Sequence, residues 1–134
     1  MNANAKKWVV ALRSGEYKQV KNVLCELDEE HNLVGHCCLG VACELYQEDR
    51  GVLCNNAVNI RIEQGDNIIC NTFEEEYQVL PSCVTEWLGI EEDSGAFRDE
   101  NKIPYCLAHL NDAGKTFDQI ADVIESEPDG LFSD

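Results

Sequence analysis

The sequence predicts a single α+β domain in which a short antiparallel sheet, made of hairpins, packs with about four to five helices. Segments near both ends carry apolar residues at helical spacing. Between them lie short apolar segments, one with alternating apolar and polar residues, that are joined in pairs by polar turns. A chain of 134 residues can bury a core without disulfide bridges or metal ions. Because no linker, repeat or low-complexity tract divides the chain, we expect residues 1–134 to form one domain.

The first part of the chain predicts a helix, a hairpin and a second helix. The first helix covers about residues 3–14, and Gly15 is suited to end it. Residues 23–27 read as a strand, and a polar turn leads to a returning strand that begins at Leu33. The second helix runs over about residues 37–48. The two apolar faces are formed by Ala5, Trp8, Val9 and Leu12, and by Cys38, Val41, Ala42 and Leu45.

A second hairpin is predicted in the middle of the chain. Apolar and polar residues alternate over residues 58–62, which is the period of a half-buried strand. The turn at 64–67 contains Gly65 and leads to a second strand at 68–70. The two hairpins together predict a small antiparallel sheet.

Three short helices are predicted in the C-terminal third. The first covers about residues 81–88, and a polar loop at 91–101 separates it from the second, at about 104–114. The third has the clearest start, because Thr116 and Gln119 have the spacing of a capping box. Its apolar face is formed by Phe117, Ile120, Ala121 and Ile124.

The basic residues are concentrated at the N-terminus of a strongly acidic chain. Ten Lys and Arg against 26 Asp and Glu give a formal net charge of −16. Five of these bases lie within residues 1–21 beside a single acid, Glu16, so this segment carries +4 and the remainder −20. A basic segment within an acidic protein indicates an anion-binding site. The five bases are Lys6, Lys7, Arg13, Lys18 and Lys21.

The acidic composition limits the classes of partner. A negative surface repels the phosphate backbone, so we expect no nucleic-acid binding. Residues 107–124 resemble a helix-turn-helix, but the second helix carries acids where DNA recognition needs cationic or amide side chains. Two interpretations of the acidic residues stay open: a solvated surface, or imitation of DNA toward a basic partner protein.

Hydropathy and cysteine usage predict a cytoplasmic protein. No stretch approaches the roughly 18 consecutive apolar residues of a membrane span, and no export signal is present, so we expect no membrane contact. The eight cysteines are then expected to be reduced, mostly as small core residues. The groupings that suggest zinc lack a Cys-x-x-Cys spacing, so we expect no metal. They are His36-Cys37-Cys38 with Cys43, and Cys106 with His109.

The sequence shows no convincing catalytic constellation. It contains neither a Gly-x-Ser-x-Gly motif nor a phosphate-binding loop of the Walker type. Cys37 and Cys38 lie near a helix start beside His36, where a thiol pKa can be lowered, but neighbours in sequence rarely align as nucleophile and base. We therefore expect a binding protein without a cofactor rather than an enzyme.

The candidate ligand-binding residues are Arg13, Tyr17, Lys18, Gln19, Asn111 and Asp112. The two bases would neutralise phosphate, and the tyrosine ring would stack on a base or sugar. Gln19, Asn111 and Asp112 would orient the ligand. We expect Asn111 and Asp112 at the exposed end of a helix, where they could bond to ribose hydroxyls or a base edge. A structural alternative stays open, in which the bases pair with surface acids and Asn111 caps a turn.

Six segments, spread over nearly the whole chain, carry a family resemblance. They are Trp8–Gln19, Cys37–Cys43, Leu80-Pro81, Glu86–Gly89, Leu107–Phe117 and Ile120–Glu125. These segments resemble a widespread family of small bacteriophage and prophage proteins, which implies no established activity. The chain departs from the family pattern at Val20-Lys21-Asn22, where relatives are often rich in glycine and lysine.

A phage origin implies a role against host defence, which is the work of many small accessory phage proteins. The leading hypothesis is a counter-defence protein that binds and sequesters a small nucleotide immune signal, of cyclic ADP-ribose or cyclic dinucleotide type, without cleaving it. Its pocket would be completed in a homo-oligomer. Three alternatives stay open: an acidic inhibitor that binds a host defence protein, an enzyme that degrades the signal, and a structural or regulatory protein without a ligand.

Overall fold

The computed structural model describes residues 1–62 and 67–133. Helices and hairpins alternate along these residues until two helices end the fold, which confirms the α+β class. The elements are α1 Ala3–Arg13, β1 Cys25–Leu27, β2 Leu33–His36, α2 Cys38–Arg50, β3 Cys54–Arg61, β4 Asn67–Phe73, α3 Ser82–Leu88, β5 Ala96–Arg98, β6 Pro104–Cys106, α4 Leu107–Asp112 and α5 Phe117–Glu125.

The two predicted hairpins form one antiparallel sheet with the strand order β2-β1-β4-β3. The hairpins meet where β1 pairs with β4, with Glu26 opposite Cys70 and Leu27 opposite Ile69. Of the turn predicted at 64–67, residues 64–66 lie outside the described residues, and Asn67 already belongs to β4.

The third hairpin differs from the sequence prediction. The segment predicted as a helix from Pro104 begins as β6, which pairs with β5 in a separate two-stranded sheet. Helix α4 starts only at Leu107, after Cys106, whose sulfur accepts a hydrogen bond from the His109 amide. Strands of three residues are too short to show an alternating pattern, and proline suits the first residue of a strand as well as of a helix.

The sheet separates a large core from a small one. On one face the helices pack around Trp8, which is fully buried and donates its indole N–H to the Cys38 carbonyl at 2.8 Å. On the other face, residues 20–23 cover Cys70. This second cluster also contains the half-buried side chains of Val34, Val58, Ile60, Ile68 and Tyr77.

Gly40 lets helix α2 lie directly against the chain that leads into β1. A Cβ atom at this position would overlap the carbonyl oxygen and carbon of Leu24. Because backbone cannot move aside as a flexible side chain does, only glycine allows this approach.

We therefore expect Gly40→Ala to lower the free energy of unfolding by about 3 kcal/mol, as forced overpacking does. Glu48→Ala, at an exposed position of the same helix, is the matched control and should change stability by less than about 0.5 kcal/mol. Urea denaturation followed by tryptophan fluorescence measures both variants. Equal stability of Gly40→Ala and the wild type would show that α2 does not pack this closely.

Candidate functional site

Arg13, at the C-terminal end of α1, is held by two acids of α5. Its Nη2 lies 2.7 Å from Asp122 Oδ1 and 3.0 Å from Glu125 Oε1. Its Nε also donates to Glu125 Oε1, at 3.1 Å. The hydrogen bonds to Asp122 and then Glu125 raise the pKa of the guanidinium. Since two carboxylates offset its single charge, the geometry at Arg13 favours the structural alternative.

Tyr17 and Lys18 do not join Arg13 in a phosphate site. The Tyr17 ring packs edge-on against the ring of His36, with 5.7 Å between centroids. Burial raises the pKa of Tyr17, and the carboxylates of Glu48, Glu44 and Glu16 raise it further. This negative surrounding opposes a phosphorylated ligand at Tyr17. The Lys18 side chain is exposed, while its carbonyl accepts a hydrogen bond from the His36 amide at 2.9 Å.

Asn111 is buried, with an exposed fraction of 0%, so the prediction of an exposed position was wrong. Helix α4 packs against α2, and Asn111 Oδ1 accepts hydrogen bonds from the Cys38 amide at 3.1 Å and from Gln19 Nε2 at 2.9 Å. Its Nδ2 donates to the Val20 carbonyl at 2.8 Å. The side chain therefore binds three parts of the protein rather than a ligand.

Gln19 and Asp112 extend these contacts into a hydrogen-bond network, here called the Asn111 network and defined by Gln19, Asn111 and Asp112. Gln19 Oε1 accepts from the Phe117 amide at 3.1 Å, and its Nε2 also donates to the Lys115 carbonyl at 2.7 Å. Asp112 Oδ1 accepts from the Asn22 amide at 2.7 Å. The network ties residues 19–22 to α4 and to the start of α5.

A cleft of about 470 Å³ lies next to this network and contains Asp112, one of the six predicted residues. We call it the basic cleft; it is lined by Lys21, Asn22, Ile60, Arg61, Ile62, Tyr77, Gln78 and Asp112. Among the residues that the structure describes, two bases and one acid line it, a formal charge of +1. Arg13, Tyr17, Lys18, Gln19 and Asn111 line neither this cleft nor the four hollows compared with it below.

Four segments that are distant in sequence form the basic cleft. Asp112 holds the turn at Asn22, which has a left-handed φ of 73° that asparagine tolerates. The Tyr77 carbonyl accepts a hydrogen bond from the Leu24 amide at 2.7 Å, which brings residues 77 and 78 beside this turn. Arg61, the last residue of β3, completes the lining.

Four other hollows on the described residues have a negative lining. The largest, about 720 Å³, is lined by six acids and no base; we call it the acidic groove and define it by Glu74, Glu76, Glu86, Glu91, Glu92 and Asp93. The remaining three, of about 440, 390 and 540 Å³, also carry more acids than bases. The basic cleft is thus the hollow of this set that attracts anions.

The eight cysteines are free thiols in this structure, and five of them are buried. Burial raises the pKa of Cys37 to about 11 and that of Cys25 to about 12, and it also raises the pKa of Cys38 and Cys43. These four thiols are therefore protonated at neutral pH, which removes the nucleophilic thiolate. Residues 1–62 and 67–133 contain no group of three or more His, Cys, Asp or Glu side chains placed to hold a metal ion.

The fold and its hollows define a small single-domain α+β protein with a basic cleft on an acidic chain. The chain belongs to the family described as Domain of unknown function (DUF8296), whose model matches residues 1–128. No curated protein and no solved structure matches the chain. No helix in the described part of the chain is long and apolar enough to span a bilayer.

We expect Asn111→Leu to destabilise the fold while keeping the side-chain volume similar. The change leaves the buried Cys38 amide and Val20 carbonyl without this partner, and each such group costs about 1–3 kcal/mol. The free energy of unfolding should therefore fall by about 2–6 kcal/mol in urea denaturation. Asn59→Leu, at an exposed position of β3, is the control and should change little. An equal loss in both variants would mean that Asn111 does not organise the fold.

Proposed function

We propose that this protein binds and sequesters a small phosphorylated nucleotide in the basic cleft. The observation that carries the proposal is the convergence of Lys21 and Arg61 on one hollow, in a chain of net charge −16. Its volume of about 470 Å³ lies within the range of roughly 300–1,000 Å³ that small-molecule sites occupy. The acidic exterior repels long nucleic acids, whereas a small anion can enter the cleft.

Each part of the lining has a role in this proposal. Arg61 offers a planar pair of donors to phosphate oxygens, and Lys21 offers a compact positive charge. Tyr77 provides an aromatic ring for stacking on a base or sugar, and the amides of Asn22 and Gln78 provide hydrogen bonds. Asp112 has a positioning role, because its carboxylate already accepts the Asn22 amide and fixes the turn that carries Lys21.

In the phage setting that the family resemblance implies, the ligand is a nucleotide immune signal of cyclic ADP-ribose or cyclic dinucleotide type. Its capture would take place in the cytoplasm of the host cell. A protein that lowers the free concentration of a signal needs nanomolar affinity, or about −12 kcal/mol. Lys21, Arg61 and Gln78 are exposed in a single chain. A second copy of the chain that covers the cleft would bury these side chains and the ligand. We therefore propose a homo-oligomer as the active form.

Calorimetry with cyclic nucleotides, cyclic dinucleotides and ADP-ribose derivatives tests the proposal. Lys21→Ala and Arg61→Ala should each weaken binding about 10- to 100-fold, because a hydrogen bond to a charged group contributes about 1.5–3 kcal/mol. Arg13→Ala is the matched control, since that base is held by Asp122 and Glu125, and its affinity should change less than about 2-fold.

Two results would contradict the proposal. One is the absence of binding across the panel, and the other is a loss of affinity in Arg13→Ala with none in Lys21→Ala or Arg61→Ala. Mass spectrometry of the ligand released by heating separates capture from degradation. A sequestering protein returns the compound unchanged, whereas an enzyme returns a product.

The acidic groove favours a second candidate function, that of an inhibitor covering a basic surface of a host defence protein. Six carboxylates line one hollow of about 720 Å³ without a base among them. Association through such a surface weakens strongly as salt screens the charges. Loss of inhibition in Glu91→Lys with Glu92→Lys, and its retention in Lys21→Ala, would favour this candidate over nucleotide capture.

A further inference from the structure

A second hollow, of about 390 Å³, adjoins the basic cleft along one face of the sheet. We call it the Asn56 hollow; it is lined by Asn55, Asn56, Val58, Ile60, Thr72, Glu75 and Tyr77. Ile60 and Tyr77 also line the basic cleft. A ligand can therefore pass from one hollow into the other across these two side chains without leaving the protein surface.

The floor that joins the two hollows is fixed by pairing within the sheet. Val58 lies opposite Cys70, and Ile60 lies opposite Ile68, so these four side chains share the face of the second core cluster. Tyr77 packs against the same cluster. Of these side chains, Val58, Ile60 and Tyr77 line the hollows, and this apolar floor suits the flat face of a base or a ribose ring.

A bulge in β3 shapes the far end of the Asn56 hollow. The register of β3 and β4 shifts between Cys54 and Ala57, and Thr72 Oγ1 holds the bulge in place. This oxygen accepts from the Asn56 amide at 3.2 Å and donates to the Asn56 carbonyl at 2.9 Å. Bulges re-aim side chains at binding sites, and this one places two asparagines at the rim.

The two hollows differ in charge. Lys21 and Arg61 line the basic cleft, whereas Glu75 is the one charged side chain among the described residues that line the Asn56 hollow. A second phosphate would be repelled by Glu75, but an uncharged hydroxylated or amide-bearing group would not. Asn55 uses its Oδ1 to accept from the Glu75 amide at 2.9 Å, which leaves its Nδ2 to donate to such a group.

We propose that the ligand has two parts: a phosphate group in the basic cleft and an uncharged nucleoside or ribose arm in the Asn56 hollow, with Tyr77 between them. This inference rests on the proposed function and narrows its ligand class to nucleotides that carry a second nucleoside or sugar. The two hollows together approach the upper end of the roughly 300–1,000 Å³ range for ligand sites, which exceeds the need of a mononucleotide.

Calorimetry with matched probes tests the second arm. AMP, ADP and ADP-ribose form one series, in which ADP controls for the second phosphate, and GMP with cyclic di-GMP forms another. In at least one series we expect the compound with the second arm to bind 10-fold or more tightly than its shorter relatives. The shorter relatives should still lose affinity in Lys21→Ala.

Variants of the Asn56 hollow locate the second arm. Asn56→Ala, at an exposed position, and Val58→Trp, which fills the hollow, should each weaken the longer compound about 10-fold and change the shorter ones less than about 2-fold. Asn59→Ala lies on the same strand but on the opposite face, so it is the matched control and should change nothing. Circular dichroism shows whether Val58→Trp folds. If this variant does not fold, the affinities of Asn56→Ala alone test whether the second arm lies in the Asn56 hollow.

The outcomes separate this inference from the proposed function. Equal affinity for long and short probes, with no effect of Asn56→Ala, overturns the two-part ligand. Nucleotide capture is still upheld in that case if binding depends on Lys21. An absence of binding by all five probes overturns both.

Discussion

The candidate site depends on the hydrogen bonds of the buried Asn111 side-chain amide. This amide accepts from the Cys38 amide and from Gln19, and it donates to the Val20 carbonyl, so it joins α2, α4 and residues 19–22. A buried polar group that loses its partner is costly, which makes this arrangement strongly preferred over any other path of the chain. Asp112, the next residue, then fixes the turn that presents Lys21. The buried hydrogen bonds of Asn111 and the exposed bond between Asp112 and the Asn22 amide together place this base.

Some bases of the fold lie against acids, whereas the two bases of the basic cleft share one hollow. Arg13 is held by Asp122 and Glu125, and Lys102 lies 3.5 Å from Asp129. The charge of these bases is offset by neighbours that the fold brings to them. Lys21 and Arg61 instead converge on one hollow, where Asp112 is the acid among the described lining residues and its oxygen already accepts a backbone amide. The described lining of this cleft therefore carries a formal positive charge within an acidic protein, which favours anions.

Local features of the fold could be predicted from the sequence, and long-range ones could not. The capping box at α5 is present with both of its hydrogen bonds, because Thr116 and Gln119 act within one helical turn. The pairing of β1 with β4 and the burial of Asn111 depend on residues far apart in the chain. Residue spacing carries no signal for such contacts.

The residues of the candidate site also divide into those that local sequence indicates and those that long-range contacts bring together. The concentration of bases in residues 1–21 indicated the segment that contains Lys21. The same pattern also predicted Arg13 as a ligand residue, because its acidic partners lie in another helix and are not visible in the local sequence. Arg61 is an isolated base at the end of a strand, and Tyr77 is an isolated aromatic residue in a loop. Only the sheet register and the hydrogen bond between Leu24 and Tyr77 bring them to the cleft.

Amide chemical-shift mapping tests most directly whether the basic cleft receives the ligand. In a ¹H–¹⁵N NMR titration of the whole chain with ADP-ribose, with cyclic di-GMP as a second ligand, the shifts should concentrate in the backbone that carries the cleft. The residues expected to move are Lys21, Asn22, Ile60, Arg61, Tyr77 and Gln78. Shifts centred on residues 13–18, or no shifts with either ligand, would contradict the account.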